Sequence, residues 1–551
     1  MLLAEESIFG TIDKSMGDRL TVDCVFNFST PFRFKAQPHL FVMQTPPLFD
    51  APSLPPTSWR KTFVHLGPGI ILASSIVGSG ELIATTTVGA EAGFVLLWLI
   101  LVGCAIKVAA QIEIGRMTLT WGKTPLAAFE EVPGPRLGGL GWIYWGWVLM
   151  TCLIVVQQGG ILAGVAQSLS GGLPLTSSGS QWNRDHDHSA RLTVDRAVAL
   201  RQGKTQDADA LEQERETLLA RMANVKRPPD ETIWMVIVGV ITAALLAVGR
   251  YRLIETVSIL LVGTFTLVTL VALWVLQFDP FWRISAAELA SGLTGGLPKS
   301  DPGSSPMMTA LATLGIIGVG ASELIVYPYW CLEKGYGRSV GPRDDSPEWA
   351  QRARGWMRVM QLDAWGSMCV YTIVTVAFYL LGATTLGRLG LRPVGSEMVR
   401  TLSQMYVPVF GAWAEEVFLV GAFAVLYSTL FVAAAGNARL VVDGLILSRW
   451  LPGDDLSRAW WNRTLSVLWP LVAMVFAIAI REPVGMVLAS GAAQAIMLAA
   501  IAVAVIFFRY RKIDSRLKPG PAWDLLLWVS SCGFLVIGLW TAWEKFAQFL
   551  R

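Results

Sequence analysis

The sequence predicts an all-α polytopic membrane protein of about eleven transmembrane helices, and three observations predict it. Of 551 residues, 53% are hydrophobic and only 15% charged, where a soluble domain carries about 25% charged residues. The apolar residues gather into runs such as Leu253–Val275 and Ala495–Phe508, and roughly 20 mostly apolar helical residues cross the hydrocarbon core. The 23 Trp suit a chain with two membrane interfaces, where indole is half apolar and half polar.

The elements follow in order. Residues 1–58 are polar, with Pro46, Pro47, Pro52, Pro55 and Pro56 near their end. They lack the apolar stretch of a signal peptide, so a cytoplasmic N-terminal extension is expected. Spans are then predicted at 67–91, 92–116, 140–169, 232–249, 252–276, 307–333, 361–385, 413–437, 461–480, 483–509 and 523–545. Segment 59–169 thus holds spans 1–3 and segment 232–551 holds spans 4–11. Lys and Arg concentrate in alternate short loops, for example Arg250, Arg252, Arg509, Arg511 and Lys512. Positive charge favours the cytoplasmic side, which predicts an integral protein with a cytoplasmic N-terminus and an outside C-terminus. A bacterial inner (plasma) membrane is the expected location. The segment 334–358 is expected to be a charged intracellular linker.

Between spans 3 and 4, residues 170–231 form a long charged segment whose stretch Leu192–Asn224 has helical composition. It is read as an external helical insertion. Its run Asp185-His186-Asp187-His188 either gathers metal ions or is a solvated loop tip.

Function enters at two glycine interruptions. Span 1 contains Val77-Gly78-Ser79-Gly80-Glu81-Leu82-Ile83, and span 6 contains Val319-Gly320-Ala321-Ser322-Glu323-Leu324-Ile325, identical at five of seven positions. Such a repeat five spans apart predicts a 5+5 inverted repeat with discontinuous helices 1 and 6, plus one appended helix. In that plan the substrate site lies near the bilayer midplane. Glycine makes unwinding cheap, and unwound backbone at membrane depth must face protein or a cavity. An acidic side chain there costs about 2.5 kcal/mol or more, which marks it as functional. Glu81 and Glu323 are therefore the expected ion ligands, converging on one cavity with Gly78, Ser79, Gly80, Gly320 and Ser322. The alternatives are that both glutamates cap half-helices or pair with Lys107, the buried Lys of span 2. Carboxylates, hydroxyls and carbonyls are hard donors, suited to Mg²⁺, Mn²⁺ or Ca²⁺. Gln157, Gln158 and Lys107 are candidate pathway residues. Thr85, Thr86 and Thr87 are read as packing residues.

These residues resemble the Nramp family of divalent-metal transporters. Gly67-Pro68-Gly69 stands where that family opens span 1, and its Asp-Pro-Gly-Asn motif falls on Gly78-Ser79-Gly80-Glu81. Gly93-Phe94, Leu96-Leu97-Trp98, Gln111 and Arg116 keep the family's spacing in span 2. The run Leu314-Gly315-Ile316-Ile317-Gly318 resembles its span 6, and Gln494 matches a family Gln near the ion. The resemblance implies a secondary transporter with a divalent cation as substrate, no cofactor, and protons as candidate co-substrate. It also shows a remodelled site. The family's metal-binding Asp corresponds to Gly78, its Met to Ser322 and its His to Leu324, while Gln157 and Gln158 replace expected acids.

Mg²⁺ or Mn²⁺ transport by alternating access is the favoured reading. An organic-cation, amino-acid or polyamine carrier of the same fold and a non-transporting membrane sensor are the alternatives. An enzyme is not expected, for the chain has no nucleophile motif and no phosphate loop. Nor has it a basic domain for nucleic acid.

Overall fold

The computed structural model describes residues 78–223, 225–248, 251–298 and 305–550, with isolated positions between 54 and 69. Almost all of the expected N-terminal extension, and residues 70–77 of span 1, lie outside the described residues.

Among the described residues, ten helices are long and apolar enough to cross a membrane. Span 1 enters the description at a π-helical segment, Ser79–Thr85, followed by an α-helix, Thr86–Ala92. The other spans are Leu97–Trp121, Trp142–Gly172, Asp230–Val248 and Tyr251–Val275 for spans 2 to 5. Span 6 is split into Pro306–Ile316 and Ala321–Glu333. Spans 7 to 11 are Pro347–Leu381, Ala414–Leu447, Asp455–Ile480, Pro483–Arg511 and Pro521–Leu550. A two-residue hairpin, Arg136–Leu137 with Leu140–Gly141, is the β-structure among the described residues.

Local chemistry sets the ends. Pro306, Pro347 and Pro483 open helices, where a missing N–H costs nothing. The Ser346 hydroxyl and the Asp454 carboxylate cap spans 7 and 9. Small residues then let helices touch: a Cβ on Gly315 would meet the Gly491 carbonyl at 1.9 Å, and one on Gly382 the Thr86 carbonyl at 2.5 Å. Such contacts replace the hydrophobic drive that helices lack in lipid.

One expectation changes here. Span 7 begins at Pro347, so the charged linker expected to 358 is partly helix. Trp349, Ala353, Trp356 and Met360 recur at helical spacing and are buried, while Arg354 and Arg358 stay exposed; the arginines of the polar face masked the apolar stripe. The insertion is helical, a hairpin of Ser177–Arg201 and Thr205–Met222. Gly203 turns the chain at φ +75°, and Leu192, Leu218 and Met222 form its small apolar core.

The Asp185–His188 run lies inside the first of these helices rather than at a loop tip. Neighbouring residues on a helix do not face one another, and here Asp185 and His188 part from the middle two, for His186 lies 3.7 Å from Glu397, which pairs with the same Arg400 as Asp187. Asp185 accepts from Gln181, His186 stacks on Trp182, Asp187 pairs with Arg400 and His188 with Glu214.

Candidate functional site

Span 6 breaks between Ile316 and Ala321. Ile317 is extended, at φ −69° and ψ 152°. Gly318 takes φ +59°, a conformation that L side chains resist. The second half-helix starts after Gly320, so its first amides point into the break. In span 1, Gly78 adopts φ −155° and ψ −114° and the chain enters a π-helical turn, a distortion frequent at functional sites. The Thr85 and Thr86 hydroxyls bond the carbonyls of Gly80 and Glu81, so these threonines satisfy the distorted turn.

One small cavity lies against both breaks. It is lined by Ser79 and Gly80 of span 1, Ile154, Gln157 and Gln158 of span 3, and Ile316, Ser322 and Glu323 of span 6. Thr429, Ala433 and Asn437 of span 8 and Gln494 of span 10 complete it. A directional hydrogen-bond chain runs round the wall. The Ser322 amide donates to Gln494 Oε1 at 3.2 Å, and Gln494 Nε2 donates to Gln157 Oε1 at 3.0 Å. Gln157 Nε2 then reaches Ser79 Oγ at 3.1 Å. The Ser490 hydroxyl supports Gln157 Oε1 at 2.8 Å, and the Ser322 hydroxyl donates to Asn437 Oδ1 at 3.1 Å.

Two oxygens of cavity-lining side chains remain without a partner although buried: Glu323 Oε2 and Gln158 Oε1. An unpaired buried acceptor is expensive, so a pair of them at one cavity suits a bound donor or cation. Among the described residues no three His, Cys, Asp or Glu side chains gather to hold a metal. The negative charge of this cavity therefore rests on Glu323, and neutral oxygens supply the remainder. That donor set favours a hard cation over a soft one.

Glu81 corrects the expectation of two converging carboxylates. It is fully buried but does not line the cavity. Its Oε1 accepts the Gly318 amide at 3.1 Å, with the Thr375 hydroxyl also 3.1 Å away. Lys107, also fully buried, donates to the Ile317 carbonyl at 2.6 Å and is likewise outside the cavity wall. Gly320 underlies the Glu323 carboxylate, for a Cβ there would come within 2.3 Å of Oε2. At Gly78 a Cβ would lie 1.8 Å from Thr429 Oγ1; the hydroxyl of span 8 fills the space in which an acid would stand.

Thr429, Asn437, Ser490 and Thr375 complete these sites and were not singled out from sequence. The available signal was an uncharged polar side chain within an apolar span, which is common wherever membrane helices pack.

The architecture is shared with proteins of known structure. Crystal structures of two mutants of the Eremococcus coleocola manganese transporter align over 92% of this chain and 91% of theirs. Both are 14% identical to it, with TM-scores of 0.58 and 0.59; at that identity the likeness is one of fold. In sequence, the Populus trichocarpa metal transporter Nramp3.2 is 34% identical over 70 residues, 13% of this chain and 14% of its own length. The match thus spans about a seventh of that curated relative. An uncharacterised Pasteurella multocida protein is 23% identical over 402 residues, 71% of this chain and 72% of its own. The family model described as natural resistance-associated macrophage protein-like matches residues 222–544, more than half of the chain, and the protein belongs to the Nramp family.

Proposed function

We propose that this protein carries a divalent metal ion across the membrane by alternating access, with the ion held in the cavity between the two helix breaks. The observation that carries the reading is the pair of unpartnered oxygens, Glu323 Oε2 and Gln158 Oε1, on one cavity wall. With Ser79, Ser322, Asn437 and Gln494 beside them, the site offers oxygen donors and no thioether, which favours Mn²⁺ or Mg²⁺ over softer metals. The similar proteins named above, a metal transporter and a manganese transporter, agree with that class. The cavity measures about 20 Å³, room for one water-sized sphere. The Lys and Arg distribution supports a cytoplasmic N-terminus and an outside C-terminus, and a bacterial inner (plasma) membrane is the proposed location.

The test is uptake of Mn²⁺, Mg²⁺ and Ca²⁺ into liposomes containing the purified chain, beside Glu323→Gln, with and without a proton gradient. Uptake of at least one ion that Glu323→Gln lowers at least tenfold is expected. Wild-type liposomes no leakier than empty ones, or an undiminished variant, would overturn the reading. Acceleration by an inward proton gradient would identify protons as co-substrate.

A further inference from the structure

Lys107 and Glu81 are ionisable, completely buried and outside the cavity. Both bond to the same peptide group. The Ile317 carbonyl accepts from Lys107 Nζ at 2.6 Å, and the Gly318 amide donates to Glu81 Oε1 at 3.1 Å. Carbonyl and N–H of a trans peptide point in opposite directions. The ammonium therefore sits at the negative end of that peptide's dipole and the carboxylate at the positive end. The peptide belongs to the break of span 6, where Gly318 has φ +59° and a Cβ would lie 2.8 Å from the Tyr371 ring. Its two anchors come from different elements, Glu81 from the break of span 1 and Lys107 from span 2, and Thr375 of span 7 donates to the same Glu81 oxygen.

We propose that Lys107 and Glu81 are a positioning ion pair acting through the Ile317–Gly318 peptide. The pair fixes the break of span 6 so that Ser322 and Glu323 face the cavity, and it ties that break to the one in span 1. Neither residue ligates the cargo. Removing one partner leaves the other buried and uncompensated, whereas removing both leaves only Glu323, which also lies in the field of Lys107, without that cation, so each single variant should be less stable than the double.

The test measures thermal unfolding of the full chain in detergent and Mn²⁺ uptake into liposomes for Lys107→Met, Glu81→Gln and the double variant. Each single variant is expected to lower Tm and to cut maximal uptake at least tenfold. The double should regain more than half of the lost Tm, while its maximal uptake stays at least tenfold below wild type because neither anchor then holds the break, with KM within threefold throughout. A double variant whose Tm is no higher than that of the worse single overturns the proposal, as do single variants that behave like wild type and a double variant with wild-type uptake. A KM raised tenfold or more by Glu81→Gln, with or without Lys107, also overturns it by making Glu81 a ligand. If a single variant does not fold, a folded double variant is the same rescue, and an unfolded one overturns the pair. The uptake arm rests on the proposed metal transport. A wild type that carries no Mn²⁺ sinks that function alone, and the unfolding arm still decides the pair.

Discussion

Gln494 Nε2 donates to Gln157 Oε1 at 3.0 Å, and this contact joins the two helix breaks. Its direction is fixed from one end, because the Ser322 amide can only donate and so claims Gln494 Oε1. The amide nitrogens must then face Gln157, whose own nitrogen is left for Ser79. Gln494→Leu would orphan the Ser322 amide and remove one donor from Gln157. Each buried group left unsatisfied costs about 1–3 kcal/mol. Thermal unfolding should therefore show Gln494→Leu destabilised by about that amount. The Gln157→Leu/Gln494→Leu double variant should cost less than the two single losses added together, since both break one chain. Additive losses would mean that the chain does not act as a unit.

Gly78 and Thr429 are in contact by exclusion. A Cβ on Gly78 would meet Thr429 Oγ1 at 1.8 Å, far inside any contact distance, so Gly78→Asp should give little folded protein. Gly78→Asp with Thr429→Ala opens the space and should recover expression and a single peak on size exclusion. If Gly78→Asp alone folds as well as wild type, span 8 does not set the side chain tolerated at this break.

Gly320 serves the site rather than the fold. Its φ of −66° and ψ of 170° suit any residue, so alanine brings no backbone strain. Its Cβ would nevertheless fall 2.3 Å from Glu323 Oε2 and 2.8 Å from Gln494 Oε1. Gly320→Ala is expected to displace the carboxylate and weaken Mn²⁺ binding at least tenfold by calorimetry, while Tm falls by no more than a few degrees. Unchanged binding would separate Glu323 from the ion.

Much of this was legible because bilayer constraints write themselves into sequence. Apolar runs located the spans, the repeated Gly-x-x-Glu signature located both breaks and Ser79, Ser322 and Glu323 on the cavity wall, and the family resemblance added Gln494. The pairing of Glu81 with Glu323 was not legible. Both follow a glycine break by the same spacing, but span 1 turns through a π-helical segment and span 6 restarts as α-helix. A π turn advances each residue by a different angle, so equal spacing aims equivalent side chains in different directions. Pairing of the glutamates with Lys107 stood among the sequence alternatives, but the Ile317 carbonyl that Lys107 bonds was hidden, because backbone groups leave no trace in residue identity. The start of span 7 was masked by arginines on its exposed face.

Outside the membrane spans, Asp514 clamps the loop between spans 10 and 11 to the start of span 7. It accepts from the Arg516 side chain and backbone and pairs with Arg343 at 3.0 Å. Arg516 in turn donates to the carbonyls of Ser346 and Asp344. The Arg516 hydrogen bonds hold the Asp514 carboxyl down at about 2, against about 3.9 for an unfolded chain. A carboxylate with a depressed folded pKa stabilises fully above the unfolded value and loses that contribution as pH falls through the folded one. Asp514→Asn should thus be less stable than wild type near neutrality, by about 1 kcal/mol or less because the loop is solvent-screened. The gap should narrow between pH 4 and pH 2 when both are unfolded thermally in detergent across that range. A difference that stays constant down to pH 2 would show that the Asp514 charge does not hold the loop.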